Sequence, residues 1–123
     1  DQTLAHTQSR QAFGGHLYDL GAIRQRMAMN QAKLDAVRAA TYHAAWLGDQ
    51  GADNVKEMSG VKAFGAEAVN QIMYDCVQFH GGMGYMRETP VERMYRDARI
   101  NSIGGGATEV MLEEVAKRSM VGA

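Results

Sequence analysis

The chain contains a single proline, Pro90, in 123 residues. Proline breaks helices more strongly than any other residue, because it lacks a backbone N–H group and its ring clashes with the preceding turn. Long stretches on both sides of Pro90 are therefore free to form helices. Runs of β-branched residues, which would favour strands, are absent. The sequence predicts an all-α protein.

The spacing of apolar residues predicts two long helices. Over about residues 18–49 and 54–80, core-type residues recur at intervals of three and four, which places them on one face of each helix. They are Ile23, Met27, Asn30, Leu34, Val37, Thr41 and Ala44 in the first run, and Met58, Val61, Phe64, Ala68, Ile72 and Cys76 in the second. Turn-forming residues 48–51 separate the runs, and Asp53 or Asn54 can cap the second helix.

Shorter helices complete the predicted fold. The opening segment 1–11 is compatible with a helix, a short helix begins at Pro90, and a final helix begins near Thr108 after the glycines 104–106. We therefore expect one domain over residues 1–123, a four-helix up-and-down bundle with a short extra helix. The nine methionines are expected to fill its core.

Composition argues against several classes of function. A formal net charge of -1 leaves no basic surface for nucleic acid. The single cysteine, Cys76, cannot form an intrachain disulfide, which favours the cytoplasm or, alternatively, the mitochondrial matrix. No apolar run approaches the roughly 20 residues that span a membrane, and the four histidines lack the spacing of metal ligands. Because the chain has no initiator Met, we expect it to be part of a longer protein.

Three short segments carry most of the functional information. They are Arg10-Gln11-Ala12-Phe13-Gly14, the segment from Gln78 to Tyr85, and Arg96-Asp97-Ala98 followed by the loop from Ile103 to Glu109. Each is weak alone. In this order and at these separations, they resemble the Arg-x-x-Phe-Gly, Gln-x-x-Gly-Gly-x-Gly-Tyr and Arg-Asp-Ala patterns of the C-terminal helical domain of acyl-CoA dehydrogenases. The resemblance covers nearly the whole chain.

The resemblance implies FAD as cofactor and contacts to it from eight residues: Arg10, Phe13, Gln78, Gly81, Gly82, Ala107, Thr108 and Glu109. The arginine would offer a planar donor fork to the pyrophosphate, with the phenylalanine close by. Gln78 and the two glycines would touch the FAD of a neighbouring subunit, since glycine lets the backbone approach a ligand. Residues 107–109 would reach FAD from the start of the last helix, which Thr108 is suited to cap.

Residue types alone leave ordinary structural roles open for the same positions. Arg10 is then a solvated cation at a helix end, and Phe13 is an anchor in the core. Gly81 and Gly82 then only stop a helix in the left-handed conformation.

Three departures from the family pattern limit what the chain can do. Gly105 stands where many members carry the catalytic glutamate, so we assign no catalytic residue in this chain. The branch of isovaleryl-CoA and long-chain acyl-CoA dehydrogenases places its base on an earlier helix, and the loop here resembles that branch or a catalytically silent subunit. Ala107 replaces a threonine, and Gly21 replaces a glutamine that contacts FAD, so Gly21 is not assigned.

The implied activity is the oxidation of acyl-CoA thioesters to 2,3-enoyl-CoA, in which a carboxylate removes the α-proton and flavin N5 accepts the β-hydride. The implied partners are acyl-CoA, further copies of the chain in a dimer or tetramer, and electron-transfer flavoprotein or a similar acceptor. Some methionines would be available to line an acyl pocket. The alternative function is a non-catalytic helical assembly or binding module of the same family.

Overall fold

The computed structural model describes residues 1–120 and is mostly helical. Its helices are α1 (Gln2–Ser9), α2 (Gly21–Asp49), α3 (Val55–His80), α4 (Gly82–Tyr85), α5 (Pro90–Ala98) and α6 (Thr108–Met120). Short 3-10 turns span Leu17–Asp19 and Arg99–Ser102, and two strands, β1 (Gln11–Ala12) and β2 (Gly15–His16), form a small antiparallel hairpin. The predicted all-α bundle is confirmed.

Helices α2 and α3 form a long hairpin joined by a tight link. Helix α2 ends before Gly51, whose positive φ of 72° is a conformation that glycine adopts without strain. The N–H group of Val55, the first residue of α3, donates to the Asp53 carboxylate at 3.1 Å. Asp53 therefore satisfies one N–H group at the start of α3, although the N-cap residue is Asn54, whose side chain donates to the carbonyl of Ala44 at 2.8 Å and does not cap the helix.

Helix α3 is the centre of the bundle and contacts every other helix. Its buried side chains are mostly small, including Ala63, Ala66 and Ala68. A Cβ added to Gly65 would lie only 3.3 Å from the Val37 side chain on α2. Small residues therefore let the neighbouring helices approach α3 closely, and they define where the core is.

Some predicted core positions are wrong for this reason. Met58 and Phe64 on α3 and Leu34 on α2 are exposed, because small side chains occupy the helix contacts. No methionine among residues 1–120 belongs to the buried core. Instead, three methionines line a cleft of 710 Å³ between α1, α2, α3 and α5, namely Met27, Met73 and Met94. The expectation that methionines fill the core is therefore corrected.

Candidate cofactor-binding site

The predicted helix over residues 1–11 ends early, because the chain turns into a hairpin after Ser9. The two strands pair Gln11 with His16 and Ala12 with Gly15, which leaves Phe13 and Gly14 as the turn. Both turn residues have positive φ, 56° and 84°, as a two-residue type I′ turn requires. A phenylalanine in this conformation is uncommon and strained.

Phe13 lies at the tip of this hairpin with 88% of its surface exposed. The alternative interpretation of Phe13 as a core anchor is therefore wrong. A large aromatic ring held in a strained turn and left in solvent contributes little to folding through burial. Its position is better suited to contact with a molecule outside this chain.

Arg10 ends α1 at the base of the hairpin and is exposed. Its backbone carbonyl accepts a hydrogen bond from Leu17 at 2.9 Å, which closes the hairpin onto the helix. Over residues 1–120, its guanidinium belongs to none of the salt bridges, which pair other residues. All five N–H donors of the side chain are thus available to an anion.

The end of α3 lies beside the end of α1. The rings of His6 and His80 stack with their centres 4.2 Å apart. Burial lowers the pKa of His6, and the charges of His80 and Arg10 lower it further. Because Arg10 lies one turn after His6, and Gln78 lies two residues before His80, the first two motifs meet at one end of the bundle.

Within this end, Gln78 is exposed and its backbone carbonyl accepts a hydrogen bond from Gly81 at 3.1 Å. Gly81 has a φ of 59° and a ψ of -141°, so it ends the helix as predicted but does not adopt the predicted left-handed helical conformation. Gly82 has no positive φ, and a Cβ added to it would meet no atom within 4 Å. Packing within the described residues therefore gives no reason for glycine at 82, whereas a ligand close to the backbone would.

The third motif lies elsewhere. Ala107, Thr108 and Glu109 line a pocket of 630 Å³ against the middle of α3, where Glu67 forms part of the wall. The Thr108 hydroxyl donates to the Glu67 carboxylate at 2.9 Å, so it does not cap α6 as predicted. This hydrogen bond, with a second from Ser102, lowers the pKa of Glu67.

The eight predicted residues therefore form two groups rather than one. The end site consists of Arg10, Phe13, Gln78, Gly81 and Gly82, and the loop site consists of Ala107, Thr108 and Glu109. Glu67 marks the loop site on α3, and 11 residues separate it from Gln78. At a rise of 1.5 Å per residue, the two groups lie roughly 17 Å apart along the helix.

Sequence reasoning did not identify the other wall of the loop site. Asn70, Gln71 and Tyr74 of α3 and Arg99 of the 3-10 turn after α5 line the same pocket. The three residues on α3 are spaced by one, three and four positions and form a polar stripe on one side of the helix. Apolar periodicity does not reveal such a stripe, because its residues are polar. Asn70 also donates to the Ser102 hydroxyl at 2.9 Å, which ties α3 to the turn before the loop.

The glycine loop itself carries no acid or base. Gly105 and Gly106 have positive φ values of 66° and 100°. A Cβ at Gly105 would have the Lys62 side chain as its nearest neighbour, at 3.9 Å. Across residues 1–120, no group of three or more His, Cys, Asp or Glu side chains is arranged to hold a metal ion. None of the helices described there is long and apolar enough to cross a membrane.

Comparison with known proteins gives consistent results. Cyclohexane-1-carbonyl-CoA dehydrogenase of Geobacter metallireducens is 41% identical over 117 residues, which cover 95% of this chain and 31% of that protein. The caffeyl-CoA reductase-Etf complex subunit CarC of Acetobacterium woodii is 38% identical over 110 residues, covering 89% of this chain and 29% of that protein. The chain thus spans less than a third of these relatives.

The fold agrees with a solved structure. The crystal structure of a probable acyl-CoA dehydrogenase from Mycobacterium abscessus superposes with a TM-score of 0.94 at 37% identity, over 97% of this chain and 32% of that one. The family model for the acyl-CoA dehydrogenase C-terminal domain matches residues 1–120. The resemblance carried by the three motifs is therefore confirmed, and the chain belongs to the acyl-CoA dehydrogenase family, in which it corresponds to the C-terminal domain.

Proposed function

We propose that residues 1–123 are the FAD-contacting C-terminal domain of a longer acyl-CoA dehydrogenase that oxidises acyl-CoA thioesters to 2,3-enoyl-CoA. The observation that carries the proposal is the end site. An aromatic ring exposed on a strained turn, an arginine outside the salt bridges and a glycine facing open space lie at one end of the bundle. Folding of the described residues explains none of these three features.

The end site fits the chemistry of a dinucleotide cofactor. A pyrophosphate needs charged or planar donors, and the Arg10 guanidinium supplies five N–H groups. An adenine or other flat ring needs an aromatic partner, and the exposed Phe13 ring offers one. Gln78 supplies an amide, and the backbone at Gly81 and Gly82 is open to close approach.

The loop site would contact FAD through the start of α6. The first N–H groups of a helix have no partner within the helix and favour anionic or polar ligands. Thr108 holds Glu67 through its hydroxyl, which fixes the position of this helix start against α3. FAD, when bound, accepts the hydride, and the residues of this chain bind and orient it.

The catalytic base would lie outside residues 1–123. Gly105 has no side chain to remove a proton, and its positive φ suits glycine rather than glutamate. The isovaleryl-CoA and long-chain branch of the family therefore remains our prediction for this chain. The remaining two thirds of the parent protein would supply the base and the other walls of the site.

The proposed partners are those that the family resemblance implies. Acyl-CoA is the proposed substrate, and other copies of the chain complete a dimer or tetramer. Electron-transfer flavoprotein or a similar protein is the proposed electron acceptor, and the CarC relative is named as a subunit of a caffeyl-CoA reductase-Etf complex. We propose the cytoplasm as the compartment, with the mitochondrial matrix as the alternative.

A second candidate is a non-catalytic assembly or binding module of the same family. Gly105 favours it, because the loop has lost the carboxylate that many members use. The two candidates differ in what precedes Asp1. A β-domain and a helix that bears a glutamate upstream would support the enzyme, whereas a start codon immediately before Asp1 would support the module.

The proposal is tested with Arg10→Ala and Gln78→Ala in the complete protein. Each removes a proposed cofactor contact and little core volume, because both residues are exposed. The loss of a hydrogen bond to a charged group costs about 1.5–3 kcal/mol, so the dissociation constant for FAD should rise at least about tenfold. Circular dichroism should show unchanged helicity.

Arg38→Ala provides the matched control, because Arg38 is an exposed arginine on α2 that forms a salt bridge with Asp35. It should leave FAD affinity unchanged. If Arg10→Ala and Gln78→Ala both retain the flavin occupancy of the unmodified protein, the assignment of the end site is rejected.

A further inference from the structure

A buried polar cluster joins α2 to α3 close to the end site. The Asp75 side chain is only 6% exposed. Its carboxylate accepts hydrogen bonds from the guanidinium of Arg26 and from the side-chain amide of Asn30, the latter at 2.9 Å. Gln71 adds a longer one at 3.4 Å. A buried carboxylate without any such partner would be strongly destabilising, so these donors keep the Asp75 carboxylate stable in its buried position.

The cluster reaches the last turn of α3 through an aromatic ring. The Arg26 guanidinium carbon lies 5.2 Å from the centre of the Phe79 ring, a distance that allows a cation–π contact. Phe79 is buried and directly follows Gln78. The next residue of α3, His80, stacks on His6 of α1. The last turn of α3 is therefore held from α2 by Arg26 and from α1 by His6.

We propose that Asp75 and Arg26 are positioning residues that set the segment Gln78–Gly82 for contact with FAD. The inference rests on the proposed function, which gives that segment its ligand. Asp75 fixes the Arg26 guanidinium, and Arg26 covers Phe79, so the last turn of α3 is ordered before the cofactor arrives. Helix ends open more easily than helix centres, and a turn that must be ordered on binding lowers affinity.

The alternative is that the cluster only joins two helices. Breaking it would then lower the stability of the protein but leave the FAD affinity of the folded protein unchanged. The two interpretations differ in whether Asp75 and Gln78 act on affinity through the same segment. A double-mutant cycle measures this coupling directly.

The experiment determines the FAD dissociation constant of the complete protein for Asp75→Asn, Gln78→Ala and the double variant. Each single variant should weaken binding, by about tenfold for Gln78→Ala. The double variant should have about the same FAD dissociation constant as the single variant that binds FAD less tightly, because loss of the ordered turn already removes the Gln78 contact. Amide hydrogen exchange in Asp75→Asn should be faster at residues 78–82 and unchanged in the middle of α3.

Asp35→Asn is the matched control, since it makes the same change in an exposed pair with Arg38 on α2. It should leave both FAD affinity and hydrogen exchange at residues 78–82 unchanged. If Asp75→Asn fails to fold, Arg26→Gln replaces it in the cycle. Arg26 is 45% exposed, and Asp75 keeps its bonds to Asn30 and Gln71.

The outcomes separate the inference from the proposed function. If Gln78→Ala weakens FAD binding but Asp75→Asn and Arg26→Gln do not, or if the two losses multiply in the double variant, the positioning role is rejected and the proposed function stands. If Gln78→Ala leaves affinity unchanged, the contact assigned to this residue fails and the positioning role fails with it.

Discussion

The three glycines at positions 81, 82 and 84 are required for different physical reasons. Gly81 has a positive φ that ends α3. A Cβ added to Gly84 would overlap the backbone of Val77, so this glycine is required by packing within the chain. Only Gly82 has neither cause, and the proposed contact with the cofactor would account for its lack of a side chain.

This difference predicts opposite effects for two identical substitutions. Gly84→Ala should destabilise the protein by about 1–3 kcal/mol, because the new methyl group has no space. Gly82→Ala should leave stability nearly unchanged, yet weaken FAD binding, because the methyl group would lie where the cofactor approaches. Thermal unfolding and flavin titration of both variants in the complete protein measure the two effects. If Gly82→Ala binds FAD as tightly as the unmodified protein, Gly82 does not contact the cofactor.

At the scale of an element, the hairpin around Phe13 holds an exposed aromatic ring in a backbone conformation that lowers the stability of the fold. A residue other than glycine with positive φ costs of the order of 1–3 kcal/mol. Asparagine adopts this conformation more easily than phenylalanine and is preferred in type I′ turns. The strain at Phe13 therefore has to be compensated by another role of the ring.

We accordingly expect Phe13→Asn to change stability and affinity in opposite directions. The free energy of unfolding should rise by about 1 kcal/mol, and FAD affinity should fall because the ring is lost. Phe13→Tyr, which keeps both the ring and the strain, should change neither quantity much. Denaturant unfolding and flavin titration test the pair. A Phe13→Asn variant that binds FAD normally would show that the ring has another purpose.

The long helices could be predicted from the sequence, because periodicity over 26 to 29 residues leaves little doubt about their type. The residues of α3 that contact the neighbouring helices could be predicted only in part. Apolar periodicity favours large residues such as Phe64, whereas alanines and glycines make many of the contacts. The hairpin was missed because its strands have two residues each and one turn residue is not glycine.

The candidate site was only partly accessible to sequence reasoning. The three motifs identified eight positions, but their division into two groups depends on where α1 and α6 pack along α3, which no local pattern encodes. The Asp75 cluster was missed for a related reason. Its members are isolated polar residues, and Arg26 and Asp75 are 49 positions apart.

At the scale of the whole molecule, the bundle leaves large apolar side chains exposed on α2. Tyr42 and Trp46 lie one turn apart on α2 and are 70% and 55% exposed. Exposed apolar patches favour association. We expect light scattering to find the chain as a dimer or tetramer.

Trp46→Glu should weaken this association, because it places a charge in the apolar patch. Gln50→Glu, which adds the same charge at the exposed C-cap of α2, should have little effect. A strict monomer at high protein concentration would contradict the expectation.

The proposed acyl-CoA dehydrogenase receives cofactor contacts from this chain and has its catalytic base outside residues 1–123. The direct test follows reduction of an electron-accepting dye by acyl-CoAs of several lengths in the presence of FAD. A positioned base contributes roughly 10²–10⁴-fold to the rate, and an oriented cofactor contributes a further large factor.

The complete protein should therefore reduce the dye, and the isolated chain should not exceed a heat-denatured control. Turnover by the isolated chain would contradict the account, because Glu109 or another carboxylate within it would then be the base.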